Sequence, residues 1–161
     1  MIVVADTSPI CYLILIGEID LLHRIYGQIL IPQAVQQELA DEKAPEIVRN
    51  WIIQPPQWLL IQTVTISNDS DLDGLDIGER TAIILAEQQR ADLIIIDDLL
   101  GRQVAKSRQL IVTGLLGVLD EAARQNLLDF PEAIARLQQT TFRASPKLIQ
   151  SFLQQHLPKD G

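Results

Sequence analysis

Cysteine is nearly absent from this chain of 161 residues: Cys11 is the only one, so an intramolecular disulfide is excluded. A lone thiol inside an apolar stretch fits a reducing compartment, and a cytoplasmic setting is expected. Histidine is almost as scarce, with two residues, His23 and His156. Neither stands near a second candidate ligand with suitable spacing, so both read as surface or packing residues. Long apolar runs are missing too. The most apolar early segment, residues 9–16, is far too short to span a bilayer. No positively charged region precedes it and no small-residue cleavage site follows, so no membrane attachment is expected. A glycine-rich phosphate loop and a nucleophile-elbow serine are likewise absent, which removes the common nucleotide-binding and serine-hydrolase chemistries.

Positive charge is also in short supply. Thirteen Lys and Arg face 21 Asp and Glu, for a formal net charge of −8 and a pI near 4.6. That balance argues against tight non-specific binding to nucleic acid, which is driven by cationic side chains meeting phosphates. A nucleic-acid function would need carboxylates that hold metal ions and so invert the local field, or a partner that supplies basic surface.

What the chain does have is a repeated alternation of strand-like and helix-like segments. At 47% hydrophobic and 21% charged residues, it reads as one globular domain. Apolar runs at 2–5, 29–31, 59–64, 93–96 and 110–112 predict strands buried on both faces. Between them lie amphipathic segments. Ser8 is expected to cap a helix with Pro9 at its first position, and further helices are expected over 20–26 and 33–40 and from Pro45. The clearest helix covers 77–89, followed by 101–108 and 115–124. Two more are opened by Pro131 and by Ser145-Pro146. This order predicts an α/β fold: a mostly parallel sheet between two helical layers. Residues 1–125 form the expected catalytic unit. Residues 126–161 form a helical extension packed on it or on a second subunit.

In such a sheet, ligands bind beyond the C-terminal strand ends. Asp6 follows the first strand, and Asp97 and Asp98 follow the fourth. Glu38 and Glu79 sit in helices able to return to the same edge, and Gly78 permits close backbone approach beside Glu79. Each acid has a plain alternative: Asp6 as a helix cap, Glu38 as a solvated surface residue, Glu79 as a complement to the helix dipole, Asp97-Asp98 as a helix start. Asp69, Asp71, Asp73 and Asp76, in the polar loop 67–73 and just after it, read as solvated; their spacing does not match a calcium loop. Taken together, clustered carboxylates repel one another unless a cation neutralises them, and an all-oxygen set suits Mg²⁺ or Mn²⁺.

The segments Val4-Ala5-Asp6-Thr7-Ser8-Pro9, Ile31-Pro32 leading to Glu38-Leu39, Gly78-Glu79-Arg80 with Ala82-Ile83-Ile84-Leu85-Ala86, Ile95-Ile96-Asp97-Asp98 with Gly101-Arg102, and Val112-Thr113-Gly114 with Gly117-Val118-Leu119 resemble, in this order from Asp6 to Leu119, the PIN-domain superfamily of metal-dependent ribonucleases. More narrowly, the sequence is similar to small prokaryotic PIN proteins of the VapC toxin type. The resemblance implies a three-layer α/β/α sandwich and Mg²⁺- or Mn²⁺-dependent cleavage of RNA, leaving 5′-phosphate and 3′-hydroxyl ends. It implies Asp6, Glu38, Glu79 and Asp97 as the catalytic acids, with Asp98 an alternative for the fourth because the doubled acid leaves the register open by one. Metal binding would fall to Asp6, Glu79, Asp97 and Asp98. Thr7 or Ser8 would orient the metal or its water, and Arg80 and Arg102 are candidates to meet substrate phosphates. Many members carry aspartate at the position of Glu79. A small antitoxin partner and a homodimer are further expectations of the resemblance. Two alternatives stand beside this reading. One is a catalytically silent interaction module. The other is a haloacid-dehalogenase-like phosphatase, disfavoured because Ser8 stands where its second acid is needed.

Overall fold

The structure, a computed structural model, describes residues 1–66 and 70–157. Ser67 and Asp69 of the expected polar loop lie outside the described residues. Among the described residues, β1 (Val3–Ala5), β2 (Ile29–Pro32), β3 (Leu59–Gln62), β4 (Leu93–Ile95) and β5 (Val112–Thr113) form one sheet in the order β3-β2-β1-β4-β5. Every pairing is parallel.

The apolar strands are explained by burial on both faces. Successive residues of a strand point to opposite sides. Val3, Ala5, Ile29, Ile31 and Ile95 enter one core, while Val4, Leu30 and Ile94 enter the other. The first core is covered by α1 (Thr7–Leu15), α2 (Asp20–Tyr26), α3 (Gln33–Ala40), α4 (Glu46–Ile53), α7 (Leu115–Arg124) and α8 (Phe130–Gln138). The second is covered by α5 (Ile77–Gln88) and α6 (Leu99–Ser107). The result is the three-layer α/β/α arrangement expected from the sequence.

The C-terminal helices join the first core. Phe130, Ile134 and Leu137 of α8 are buried in it, and Ile149, Phe152 and Leu153 of α9 (Pro146–Gln155) pack against it. Arg136 ties α8 back to the end of α1 through the Ile16 carbonyl and Glu18 at 2.8 Å. His156 pairs with Asp120 of α7 at 2.7 Å and stacks on Phe130, and His23 stacks on Trp58, so both histidines serve packing.

Several boundaries differ from expectation for local reasons. Helix α1 starts at Thr7, and Asp6 rather than Ser8 holds the N-cap position. Pro9 is accommodated because the first-turn amides have no intrahelical acceptor in any case. Helix α6 starts at Leu99 because Asp98 caps it, its Oδ2 accepting the Gly101 N–H at 2.8 Å. Strand β5 begins only at Val112, because the Leu110 N–H closes α6 by bonding to the Ala105 carbonyl at 3.1 Å.

That closure requires Gln109 to adopt φ +64°, and Arg90 (φ +50°) and Asn126 (φ +60°) end α5 and α7 the same way. A left-handed backbone is strained for residues with a Cβ, and glycine relieves it. Gln109→Gly should therefore stabilise the protein by about 0.5–1 kcal/mol, raising the melting midpoint by roughly 1–4 °C in a calorimetric scan.

Candidate active site

The chain leaves β1 toward β2 and β3 on one side, then crosses to β4 and β5 on the other. The seam between β1 and β4 is therefore the switch point, where a crevice opens beyond the strand ends. Register fixes what stands there. Ala5 pairs with Ile95, the Asp6 N–H donates to the Ile95 carbonyl at 2.9 Å, and the Ile96 N–H donates to Thr113 at 2.9 Å. Asp6 and Asp97 consequently leave adjacent strands side by side.

Asp6 is 4% exposed, and although it holds the N-cap position, its side chain makes no capping bond. Its Oδ1 is buried without a hydrogen-bond partner. Asp97 Oδ1 accepts the Leu115 N–H at 2.9 Å, at the start of α7, and its Oδ2 is likewise buried and unpartnered. Buried carboxylate oxygens normally find donors, because stranding them costs several kcal/mol. Here two are left open at one place.

These two acids line a cavity of about 360 Å³ together with Ser8, Glu79 and Asp98. Its remaining wall comes from Tyr12 and from Thr141, Phe142 and Arg143 of the α8–α9 loop. Glu79 is held by a reciprocal capping box: its N–H donates to Asp76 Oδ1 at 2.8 Å and its Oε2 accepts the Asp76 N–H at 3.3 Å. Glu38 stands to one side. Its Oε2 accepts the Thr7 hydroxyl at 2.5 Å, and it lines a separate cavity with Thr7. A Cβ at Gly78 would collide with the Glu38 carboxylate, which is why the α5 backbone can approach α3 so closely only at glycine. Gly114 clears space in the same way: a Cβ there would lie 2.5 Å from Asp97 Oδ1 and 2.6 Å from Arg102 Nη1.

Of the expected phosphate-binding arginines, Arg102 donates to the Ile96 carbonyl at 3.0 Å and its charge faces Asp97. Arg80 donates to the Leu75 carbonyl at 3.2 Å and does not line the acidic cavity.

The electrostatics reflect the crowding. Burial pushes Asp6 well above the usual carboxylate range, with Asp76, Glu79 and Glu38 adding repulsion. Burial raises Glu79 from 4.5 to about 7, reinforced by Asp76 and Asp98. Glu38 is raised by burial and by Asp76, against the Thr7 hydrogen bond. Asp97 is raised by burial, although the Leu115 N–H and Arg102 pull it down.

Sequence reading passed over two contributors. Asp76 reads as a loop acid, yet it caps α5 and its charge reaches Asp6, Glu38 and Glu79. The Asp76-Ile77-Gly78-Glu79 spacing is a capping box, a signal that was present. Tyr12 and the 141–143 loop carried no local signal, because they meet only in the fold: Tyr12 Oη and Thr141 Oγ1 are 2.9 Å apart across 129 positions of sequence.

A doubly wound parallel sheet with an acid-lined cavity at its switch point defines the class of domain. The chain matches the family model DUF3368, described as a PIN domain, over residues 2–157, and it belongs to that family. The match includes α8 and α9, beyond the 6–119 stretch that carries the motif resemblance. No curated protein and no solved structure matches the chain. No helix among the described residues is long and apolar enough to cross a membrane.

The donor set suits a hard divalent cation. Among the described residues no group of three or more His, Cys, Asp or Glu is gathered closely enough to cage a metal ion. Mg²⁺ does not require such a cage, since it keeps most of its waters and takes one or two carboxylates. The open Oδ1 of Asp6 and Oδ2 of Asp97 meet that need.

A carboxylate raised on folding binds its proton more tightly in the folded state. It contributes stability below its unfolded pKa, and that contribution is lost as pH rises through the folded value. Between about 4.5 and about 7, the window set by Glu79, metal-free protein should therefore lose stability. Asp6→Asn, which removes the most deeply buried charge, should raise the metal-free melting midpoint at pH 7.5 by roughly 2–6 °C. Added Mn²⁺ should raise the wild-type midpoint more at pH 7.5 than at pH 5. An Asp6→Asn midpoint below that of wild type would mean the charge is satisfied within the fold.

Proposed function

We propose that this PIN-domain protein is a divalent-metal-dependent endoribonuclease, hydrolysing RNA phosphodiester bonds at the β1–β4 switch point. The observation that carries this reading is the pair of buried, unpartnered oxygens on Asp6 and Asp97. PIN-family membership, typical of nucleases, supports it. Asp6 and Asp97 would hold Mg²⁺ or Mn²⁺, with Asp98 and Glu79 on the rim of the same cavity. When bound, such an ion lowers the pKa of a coordinated water and offsets charge on the scissile phosphate.

The chain's own residues supply the rest. Glu79, raised to about 7, is poised to take a proton from the attacking water near neutral pH. Glu38 acts through Thr7: its bond to the hydroxyl fixes the first turn of α1 and hence the backbone beside Asp6. Asp97 is oriented by the Leu115 N–H, so its free oxygen has one direction available. Ser8 sits on the cavity wall, able to hydrogen-bond a water or a phosphate oxygen. The VapC resemblance extends this reading to a toxin whose cavity a small antitoxin blocks, and to a homodimer. The rival interaction module keeps the same fold and acids without the chemistry.

The test is cleavage of a mixed panel of structured and single-stranded RNAs across a Mn²⁺ and Mg²⁺ titration. Wild type should cut only with metal, and Asp6→Asn and Asp97→Asn should each lower kcat/KM by at least about 10²-fold while remaining folded. Full activity in a purified Asp6→Asn protein would remove Asp6 from the mechanism. A wild type that neither binds metal nor cuts would favour the interaction module.

A further inference from the structure

A second cavity, also of about 360 Å³, adjoins the acidic one and shares Asp97, Phe142 and Arg143 with it. Its character is different. Leu116 and Leu148 form an apolar wall with Phe142, and Arg102 and Arg143 stand at its border with the acids. A mostly apolar hollow of this size with a few convergent polar groups suits one small ligand unit.

Arg143 differs from the other arginines in where it stands. Arg108, Arg124 and Arg136 are paired with Glu87, with Asp120, and with Glu18 and Glu132, and Arg49, Arg80 and Arg102, which like Arg143 bond to backbone carbonyls, do not line the acidic cavity. Arg143 is exposed, and its Nη1 bonds only to the Thr140 and Phe142 carbonyls, at 3.3 and 3.0 Å. Among the described residues it forms no ion pair. Those carbonyls hold the guanidinium in place without neutralising it, so a full positive charge stands at the mouth of an acidic cavity in a protein of net charge −8. The loop that carries it is itself anchored, by the Tyr12–Thr141 hydrogen bond and by Phe142 packed edge-on against Tyr12 at 5.3 Å.

We infer that this second cavity is a nucleotide subsite. It seats the RNA unit next to the scissile phosphate, with Arg143 gripping the adjoining phosphate and the Phe142–Leu116–Leu148 wall receiving the base. The inference rests on the ribonuclease reading above and extends it to the substrate. Charge complementarity selects the occupant. A polyanion crossing the acidic cavity meets a fixed cation at its edge, and single-stranded RNA offers splayed bases that aromatic and apolar surfaces accept. Sequence-independent phosphate contact by Arg143 would be joined by a base preference set by the shape of the apolar wall.

The experiment measures binding of a fluorescein-labelled single-stranded RNA octamer, over a range of salt, to full-length protein in an Asp6→Asn background that does not cut. Cleavage by wild type is followed separately. Arg143→Gln should weaken binding roughly tenfold and flatten the slope of log affinity against log salt by about 0.7, the signature of one lost phosphate contact on a single strand. In the cleaving protein it should raise KM with little change in kcat. Leu148→Ala, which trims the wall without changing charge, should weaken binding without flattening the slope. Lys147→Gln, an exposed cation outside the cavity, should change neither quantity. Wild-type cleavage with unchanged binding and slope in Arg143→Gln would overturn the subsite and leave the nuclease standing. RNA binding that depends on Arg143, without cleavage under any metal, would support the subsite and overturn the nuclease. Equal losses in Arg143→Gln and Lys147→Gln, or Arg143-dependent binding of an acidic peptide in place of RNA, would overturn the subsite.

Discussion

The structure turns on the cost of placing carboxylates side by side at the seam between β1 and β4. Asp6 and Asp97 are buried there, each with one oxygen lacking a donor. Nothing in a metal-free fold rewards such an arrangement: burial disfavours both charged forms, and Asp76, Glu79 and Glu38 add repulsion at Asp6. Its persistence is intelligible through the elements around it. Asp6 precedes α1, Asp76 caps α5, Asp98 caps α6 and Asp97 meets the first amide of α7. Four helix N-termini thus bear on the acids, and their partial positive charge offsets some of the repulsion. This convergence follows from the architecture: where parallel strands lead into helices at one edge of the sheet, helix N-termini collect at that edge.

The same acids therefore serve two purposes. Asp98 and Asp97 each accept a backbone N–H on one oxygen, and Asp76 and Glu79 close a capping box. What remains unsatisfied after capping is one oxygen each on Asp6 and Asp97, two residues that line the same cavity. Glu38 bonds the Thr7 hydroxyl and lies against Gly78, outside the cavity that Asp6 and Asp97 line. The proposed cation would relieve that cost by taking up the oxygens that capping leaves unpartnered.

For the proposed RNA substrate, a polyanion, the acidity of the whole chain poses the opposite problem. Cations matter most where they are held in place beside the cavity. Arg102 is fixed by the Ile96 carbonyl and faces Asp97, while Arg143 arrives from the loop between α8 and α9. The C-terminal helices are thus part of the site as well as of the core: they bring Phe142 and Arg143 over the cavity and are locked by Phe130, Arg136 and the His156–Asp120 pair.

Much of this was legible in the amino-acid order. Apolar runs of strand length, with amphipathic helices between them, determined a parallel sheet with two helical layers, because only strands buried on both faces lack polar alternation. An aspartate directly after the first and fourth of those runs placed Asp6 and Asp97 at one sheet edge. Capping chemistry was written locally as well, in Asp76-Ile77-Gly78-Glu79 and in Ser145-Pro146. Tertiary structure alone decided which oxygens stay free, because that depends on whether a distant amide such as Leu115 N–H arrives to claim them. It alone sent Arg80 to the Leu75 carbonyl and brought Arg143 to the cavity. Side-chain identity fixes what a group can bond, but the partner that reaches it is set by how separate elements pack, as where Tyr12 meets Thr141 across 129 positions, and no local pattern encodes that meeting.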